Sequence, residues 1–230
     1  MNNQYLLNIH TTGETAIINL SLKDSVLDTK INTEFKDHAK FLHVAADALL
    51  KENNMRPADL SAIGVTHGPG SYTGIRVGLS AAKGLCYALK IPLITLSTLE
   101  VLTVSAIEKT NDSLSLYCPM IDARRMEVYT SLFDYELNKL INPHAVIVDS
   151  NFMEEFAKMN NIIFFGDGSA KFKEIIQERP NYAFLESDTI SESLSKLSYK
   201  KFISSDFSDL AYSVPDYLKE FISTTKKRIL

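Results

Sequence analysis

The stretch His67-Gly68-Pro69-Gly70-Ser71-Tyr72-Thr73-Gly74-Ile75-Arg76 decides how this chain is read. It follows an apolar run, Leu60–Thr66, and opens an amphipathic pattern that continues to about Leu89, so it is a turn from strand into helix. Six of the nine glycines, Gly64, Gly68, Gly70, Gly74, Gly78 and Gly84, lie in or around it. Such density means that the backbone there needs positive φ, close approach to another group, or both. Amide N–H groups at a helix start favour an anion. Ser71 or Thr73 can cap the helix, and Arg76 in its first turn can meet a phosphate or carboxylate. Gly68, Gly70, Ser71, Thr73, Gly74 and Arg76 are therefore candidate anion or nucleotide contacts. Neither familiar phosphate loop fits, however. Gly74 is followed by Ile75-Arg76 rather than Lys-Ser/Thr, and the spacing of Gly68, Gly70 and Gly74 misses Gly-x-Gly-x-x-Gly by one residue. Pro69 also removes a donor. The competing reading is a tight structural turn feeding a closely packed helix.

Upstream, Tyr5–Ile9, Thr15–Leu22 and about Leu27–Phe35 read as three strands, followed by a helix from about Asp37 to Asn53. His38, Phe41, Leu42, Ala45, Ala46, Leu49 and Leu50 form one stripe of that helix. The helix after the glycine-rich turn, about Gly74–Leu89, carries Ile75, Leu79, Ala82, Cys86 and Leu89 at alternating steps of four and three, with Gly74, Gly78 and Ala82 making one face flat. Two such faces serve an internal core or a subunit seam. The seam reading makes Phe41, Leu42, Ala45, Leu49, Gly74, Gly78, Leu79 and Ala82 candidate interface residues. Downstream come a strand at Pro92–Leu96 and a helix opening at Ser97-Thr98-Leu99-Glu100, which has the Ser-x-x-Glu spacing of a capping box. Strands are expected at Leu114–Asp122, Glu127–Asp134, Val146–Val148 and Ile162–Phe165. Helices are expected at Phe152–Met159, Ser169–Gln177 and Ser187–Phe202, and an amphipathic segment at Tyr212–Lys226. This alternation argues for two α/β layers. The polar run Lys109-Thr110-Asn111-Asp112-Ser113 marks the boundary, giving units at 1–109 and 110–205 and a terminal segment at 206–230. No sequence repeat is visible.

With 230 residues, 24 Lys+Arg and 28 Asp+Glu, the chain carries a net charge of −4, which supplies no basic footprint for autonomous nucleic-acid binding. Two cysteines, Cys86 and Cys118, cannot form a four-thiolate site, and they fit a reducing compartment. No apolar stretch is long enough to span a membrane and the start lacks a cationic leader, so a cytoplasmic protein is expected.

The segment from Gly64 through Arg76 to Gly84 resembles the signature of the TsaB (YeaZ) family of bacterial tRNA threonylcarbamoyladenosine biosynthesis proteins. Leu7-Asn8-Ile9-His10-Thr11-Thr12, Asp122-Ala123-Arg124-Arg125-Met126-Glu127-Val128-Tyr129, Gly166-Asp167-Gly168 and Val214-Pro215-Asp216-Tyr217-Leu218 are similar to further family segments, so the resemblance spans essentially the whole chain. It implies an α/β, two-lobed actin-like ATPase (ASKHA) fold of mixed sheets flanked by helices, with a C-terminal helix packed back on the first lobe. It implies a non-catalytic partner of the paralogue TsaD, which carries the transferase site. Together with the small ATPase TsaE they place a threonylcarbamoyl group on the adenosine beside the anticodon, and tRNA is met only through the complex.

Individual residues agree with a non-catalytic role. His10 stands where the family pattern has Asp, and an imidazole is a poor ligand for Mg²⁺. The paralogue's metal-binding histidines are spaced i, i+4, whereas His38 and His43 here are five apart, about 140° out of register on a helix. No metal and no cofactor is expected, and no Gly-x-Ser-x-Gly elbow supplies a nucleophile. Asp122, Arg124, Arg125 and Glu127 form a charged turn that is either solvated or a contact to a nucleotide or partner. The rival readings are a self-sufficient nucleotide hydrolase resting on Gly70–Arg76, and a regulatory homodimer formed through the same seam.

Overall fold

The computed structural model describes residues 3–34, 37–176, 179–186 and 190–219. Strands β1 (Tyr5–His10), β2 (Ala16–Leu22) and β3 (Ser25–Asn32) form an antiparallel meander. Helix α1 (His38–Glu52), β4 (Leu60–Gly68), α2 (Tyr72–Leu89), β5 (Leu93–Ser97) and α3 (Thr98–Thr110) then add parallel strands, giving the sheet order β3-β2-β1-β4-β5. The second half repeats this plan. β6 (Ser115–Asp122), β7 (Glu127–Phe133) and β8 (Lys139–Ile147) form a meander; α4 (Glu154–Ala157), β9 (Asn161–Phe165), α5 (Ser169–Ile175), β10 (Tyr182–Leu185) and α6 (Ser191–Ile203) follow, and the sheet order is β10-β9-β6-β7-β8. Each half is thus three antiparallel strands followed by helix, strand, helix, strand, helix, with the first strand central in its sheet. Residues 206–219 form no helix, and expectations at Phe35, Gln177, Ser187 and 220–226 lie outside the described residues.

Several expectations are corrected. The strand expected only at Val146–Val148 is nine residues long, and β10 was not anticipated. The capping box at Ser97 does not form: the Ser97 side chain makes no cap hydrogen bond, and Glu100 turns to Lys139 at 2.6 Å instead. Helix α6, grouped by sequence order with residues 110–205, lies on the first sheet. Its Leu194 and Leu197 join Leu6, Ile17, Ala62, Ile94 and Leu96 in one core cluster. A buried polar network holds it there: Asn19 Nδ2 donates to the Ser191 carbonyl at 2.8 Å, Ser195 Oγ donates to Asn19 Oδ1 at 3.2 Å, and Asn8 Nδ2 donates to Asn19 Oδ1 at 2.8 Å. The buried serines at 191, 193, 195 and 198 keep this helix face small, so α6 approaches the strands closely enough for those bonds. α3 packs against both α6 and the second sheet, tying the halves together.

The predicted seam residues are mostly interior. Leu42, Ala45, Leu49, Leu79 and Ala82 are core side chains clustered with Ile9, Ile63 and Val65, and Phe41 packs against that cluster. Gly74 and Gly78 are buried, facing Thr11, Ile9 and Val65 on the strand side. The flat face of α2 receives the chain's own sheet, and of these residues Phe41 alone is partly exposed. The opposite faces are outward, carrying His43, Val44 and Asp47 on α1 and Ser80, Gly84, Tyr87 and Ala88 on α2.

Candidate functional site: the inter-lobe cleft

A cleft of about 1030 Å³ separates the halves. Its walls are the two β-hairpin turns (Thr12–Glu14 and Asp122–Arg124), the loop and first turn leading into α2, Asp167, and residues 216–219. Of the candidate contacts, Gly70, Ser71, Thr73, Gly74, Arg76, Asp122 and Arg124 line it; Gly68 and Arg125 do not.

Local geometry explains each wall. Ser71 is the N-cap of α2 and accepts from the Gly74 N–H at 3.2 Å, and its own N–H donates to the Thr12 carbonyl at 2.7 Å. One side of the glycine-rich loop packs closely on its own chain. A Cβ built on Gly74 would lie 1.9 Å from the Thr11 carbonyl oxygen, and one on Gly70 would lie 2.3 Å from that of Thr12. These glycines let the β1–β2 turn press on the start of α2, as the structural-turn reading requires. Arg76 is tied up as well: its Nε donates to Tyr217 Oη at 2.7 Å and its guanidinium lies 4.1 Å from the centre of the Tyr72 ring. The Tyr217 hydroxyl raises the arginine pKa further, so the charge is permanent.

The second wall is acidic. Burial pushes the Asp122 carboxyl up, but hydrogen bonds from Lys171 and the Arg124 N–H outweigh it, leaving the net shift downward. Asp167 accepts from the Asp122 N–H at 2.9 Å, and its pKa is raised by burial and by the neighbouring Asp122 and Glu14 charges. The cleft lining carries Glu14, Asp122, Asp167 and Asp216 together with Arg76, Arg124 and Lys219. Such a lining has no excess of positive charge to concentrate a polyphosphate.

His10, at the end of β1, is buried and hydrogen-bonded through Nδ1 to Thr66 Oγ1 at 3.2 Å and Thr12 Oγ1 at 3.3 Å. Burial, with repulsion from His38, lowers its pKa to about 4, so it is a neutral, locally bonded residue at neutral pH. Cys86 and Cys118 are buried free thiols pushed up to about 12 by desolvation, the opposite of a reactive thiolate. Among the described residues no group of three or more His, Cys, Asp or Glu is arranged to hold a metal ion, and no helix is long and apolar enough to cross a membrane. Sequence reasoning missed Tyr72, Tyr217, Lys219, Glu14 and Asp167 as cleft residues. Asp167 and Tyr217 sat within segments that carried the family resemblance without a role attached, whereas nothing local marks Lys219 or Glu14.

Two copies of one βββαβαβα plan facing across a cleft define a two-lobed protein of the actin-like ATPase fold. A YeaZ structure from Pseudomonas aeruginosa has this fold, superposing with a TM-score of 0.77 over 94% of this chain and 100% of that one at 22% identity. The family model TsaD, tRNA N6-adenosine threonylcarbamoyltransferase, matches residues 26–230. The TsaB of Bacillus subtilis, a tRNA threonylcarbamoyladenosine biosynthesis protein, is 34% identical over 176 residues, 75% of each chain. A tRNA N6-adenosine threonylcarbamoyltransferase of Lacticaseibacillus casei is 32% identical over 96 residues, covering 35% of this chain and 28% of that one. The chain belongs to the family that the TsaD model describes, and within it to the TsaB (YeaZ) proteins of tRNA threonylcarbamoyladenosine biosynthesis.

Proposed function

We propose that this protein is a non-catalytic partner that activates a TsaD-type transferase in threonylcarbamoylation of the tRNA adenosine beside the anticodon. The observation that carries the reading is the close packing of the glycine-rich loop: a Cβ on Gly70 or Gly74 would meet the Thr12 or Thr11 carbonyl, and Arg76 Nε is bonded to the Tyr217 hydroxyl. The partner is a chain of the same fold, since one family model and two kinds of relative, biosynthesis protein and transferase, match this sequence. A TsaE-type ATPase is the third member, tRNA is met only through the complex, and the setting is the cytoplasm.

The docking surface in this reading is the outward face of α1 and α2. Val44 is 66% exposed and Tyr87 79% exposed, and a Cβ on Gly84 would meet nothing within 4 Å, leaving room for a neighbouring helix. Mixing with a TsaD-type transferase should give a stable complex by gel filtration. Tyr87→Ala or Val44→Asp should weaken it by about tenfold or more without lowering the melting temperature, because neither side chain is part of the core. Depleting the protein should remove threonylcarbamoyladenosine from tRNA, read by nucleoside mass spectrometry. Magnesium-dependent ATP turnover by the purified chain, lost in Arg76→Ala, would instead establish the self-sufficient hydrolase. A dimer of this chain that excludes the transferase would establish the regulatory homodimer.

A further inference from the structure

We propose that residues 206–219 form a strap that fastens the two lobes across the cleft, with the Lys219–Glu127 ion pair as its latch. The strap starts on the edge of the first sheet, where the Ser208 N–H donates to the Leu93 carbonyl at 2.8 Å and Ser208 Oγ sits 2.7 Å from Thr95 Oγ1. It next crosses α2, where Lys83 Nζ donates to the carbonyls of Ala211 at 3.1 Å and Ser213 at 3.0 Å. It then lies on the glycine-rich loop. The Asp216 N–H donates to the His67 carbonyl at 2.8 Å, and the Tyr217 ring stacks on Tyr72 with centroids 5.2 Å apart. Beyond Tyr217 it leaves the first lobe. Lys219 Nζ pairs with Glu127 at the start of β7 in the second lobe and lies 5.8 Å from the Tyr129 ring centre.

The first lobe is shaped to receive it. Gly68 has φ +128°, and a Cβ there would lie 2.6 Å from the Asp216 carbonyl oxygen, so a glycine at this position lets the strap lie close. Among the described residues the strap is held at many points on one lobe and through Lys219 on the other, the arrangement of a hinged latch. Lys219 is delivered to Glu127 at high effective concentration, which compensates for the modest strength of a partly exposed pair. The inference is independent of the docking surface on α1 and α2.

Distance measurement on the full chain tests it. Spin labels on Lys40→Cys in α1 and Glu174→Cys in α5 report the two lobes, and the native cysteines are buried and stay unlabelled. The parent should give one narrow inter-lobe distribution. Lys219→Ala and Glu127→Gln should each broaden it and move the mean to longer distance, as should 1 M salt, where screening reaches within about 3 Å. Exchanging the charges (Lys219→Glu with Glu127→Lys) should restore the narrow distribution. Tyr217→Ala, which frees the middle of the strap, should broaden it at least as much as Lys219→Ala. An unchanged distribution in Lys219→Ala overturns the latch, as does failure of the charge exchange to restore it, or broadening confined to Tyr217→Ala.

Discussion

The two lobes share one plan but fill it differently. The first covers its sheet with long helices, α1 of 15 residues and α2 of 18, whose core is aliphatic: Leu42, Leu49, Ile63, Val65 and Leu79. At the matching places the second has α4 of four residues and α5 of seven. There aromatic rings supply the missing volume. The Phe164 ring centre lies 5.0 Å from that of Phe172, 5.0 Å from that of Tyr182 and 5.4 Å from that of Phe184. A short crossover suffices when each side chain buries more area. The β–α turns, by contrast, use the same device twice. Gly70 and Gly74 admit the carbonyls at the end of the first hairpin, and Gly166 admits that of Met120 at the second. Such an arrangement in both halves points to packing as the common purpose of the glycines. The first lobe alone adds Gly68, for the strap.

Substitutions at these turns should show the largest effect. Gly74→Val places side-chain atoms on the Thr11 carbonyl and should cost more than about 4 kcal/mol. Gly168→Ala, whose nearest contacts are at 3.0 Å, should cost only about 1–2 kcal/mol. Urea unfolding of both variants would measure the difference, and equal costs would break the comparison.

A second contrast lies at the matching strand ends, where the first lobe has His10 and the second Asp122. The folded His10 pKa is about 4, against about 6.5 in an unfolded chain. The unfolded state therefore takes up a proton that the folded state refuses, and stability falls as pH drops from about 6.5 to about 4, by up to roughly 3 kcal/mol. His10→Gln should flatten that part of the stability–pH curve relative to the parent. An unaltered slope would mean that the imidazole is charged in the fold.

The smallest effect is expected at Gly84, which has no counterpart in the short α5. Gly84→Ala should raise stability by about 0.5–1 kcal/mol, since an exposed helical glycine gives up backbone entropy without a packing return. Measuring transferase affinity on the same variant sharpens the contrast between buried and outward faces of α2. Unchanged affinity would move the docking surface away from Gly84.

Periodicity made α1, α2 and the first sheet legible, because each carries a full apolar stripe and ends in turn residues. The same periodicity could not say which side of α2 faces inward, since a flat Gly-Gly-Ala face suits a strand of the same chain as well as another subunit. The second lobe was harder to read: β10 is four residues long, and β8 is a polar, half-exposed edge strand with no alternation. The duplication was invisible because helices of 18 and seven residues occupy equivalent places. The glycine-rich loop was found at once, but what packs on it comes from residues 11–12 and 216–217, distant in sequence and joined to it only by folding. Lys219 was out of reach for the same reason.

The placement of α6 bears on how the chain acquires its structure during synthesis. The first sheet emerges early, yet the face formed by Leu6, Ile17, Ala62 and Ile94 is sealed by Leu194 and Leu197, among the last described residues to leave the ribosome. Until then the nascent first half presents an apolar sheet around the polar Asn8–Asn19 pair that Val101, Leu102 and Val104 of α3 cover only in part. A chain truncated before Ser191 should bind a chaperone or aggregate rather than persist as a free lobe, which makes the native first lobe dependent on a helix far along the chain.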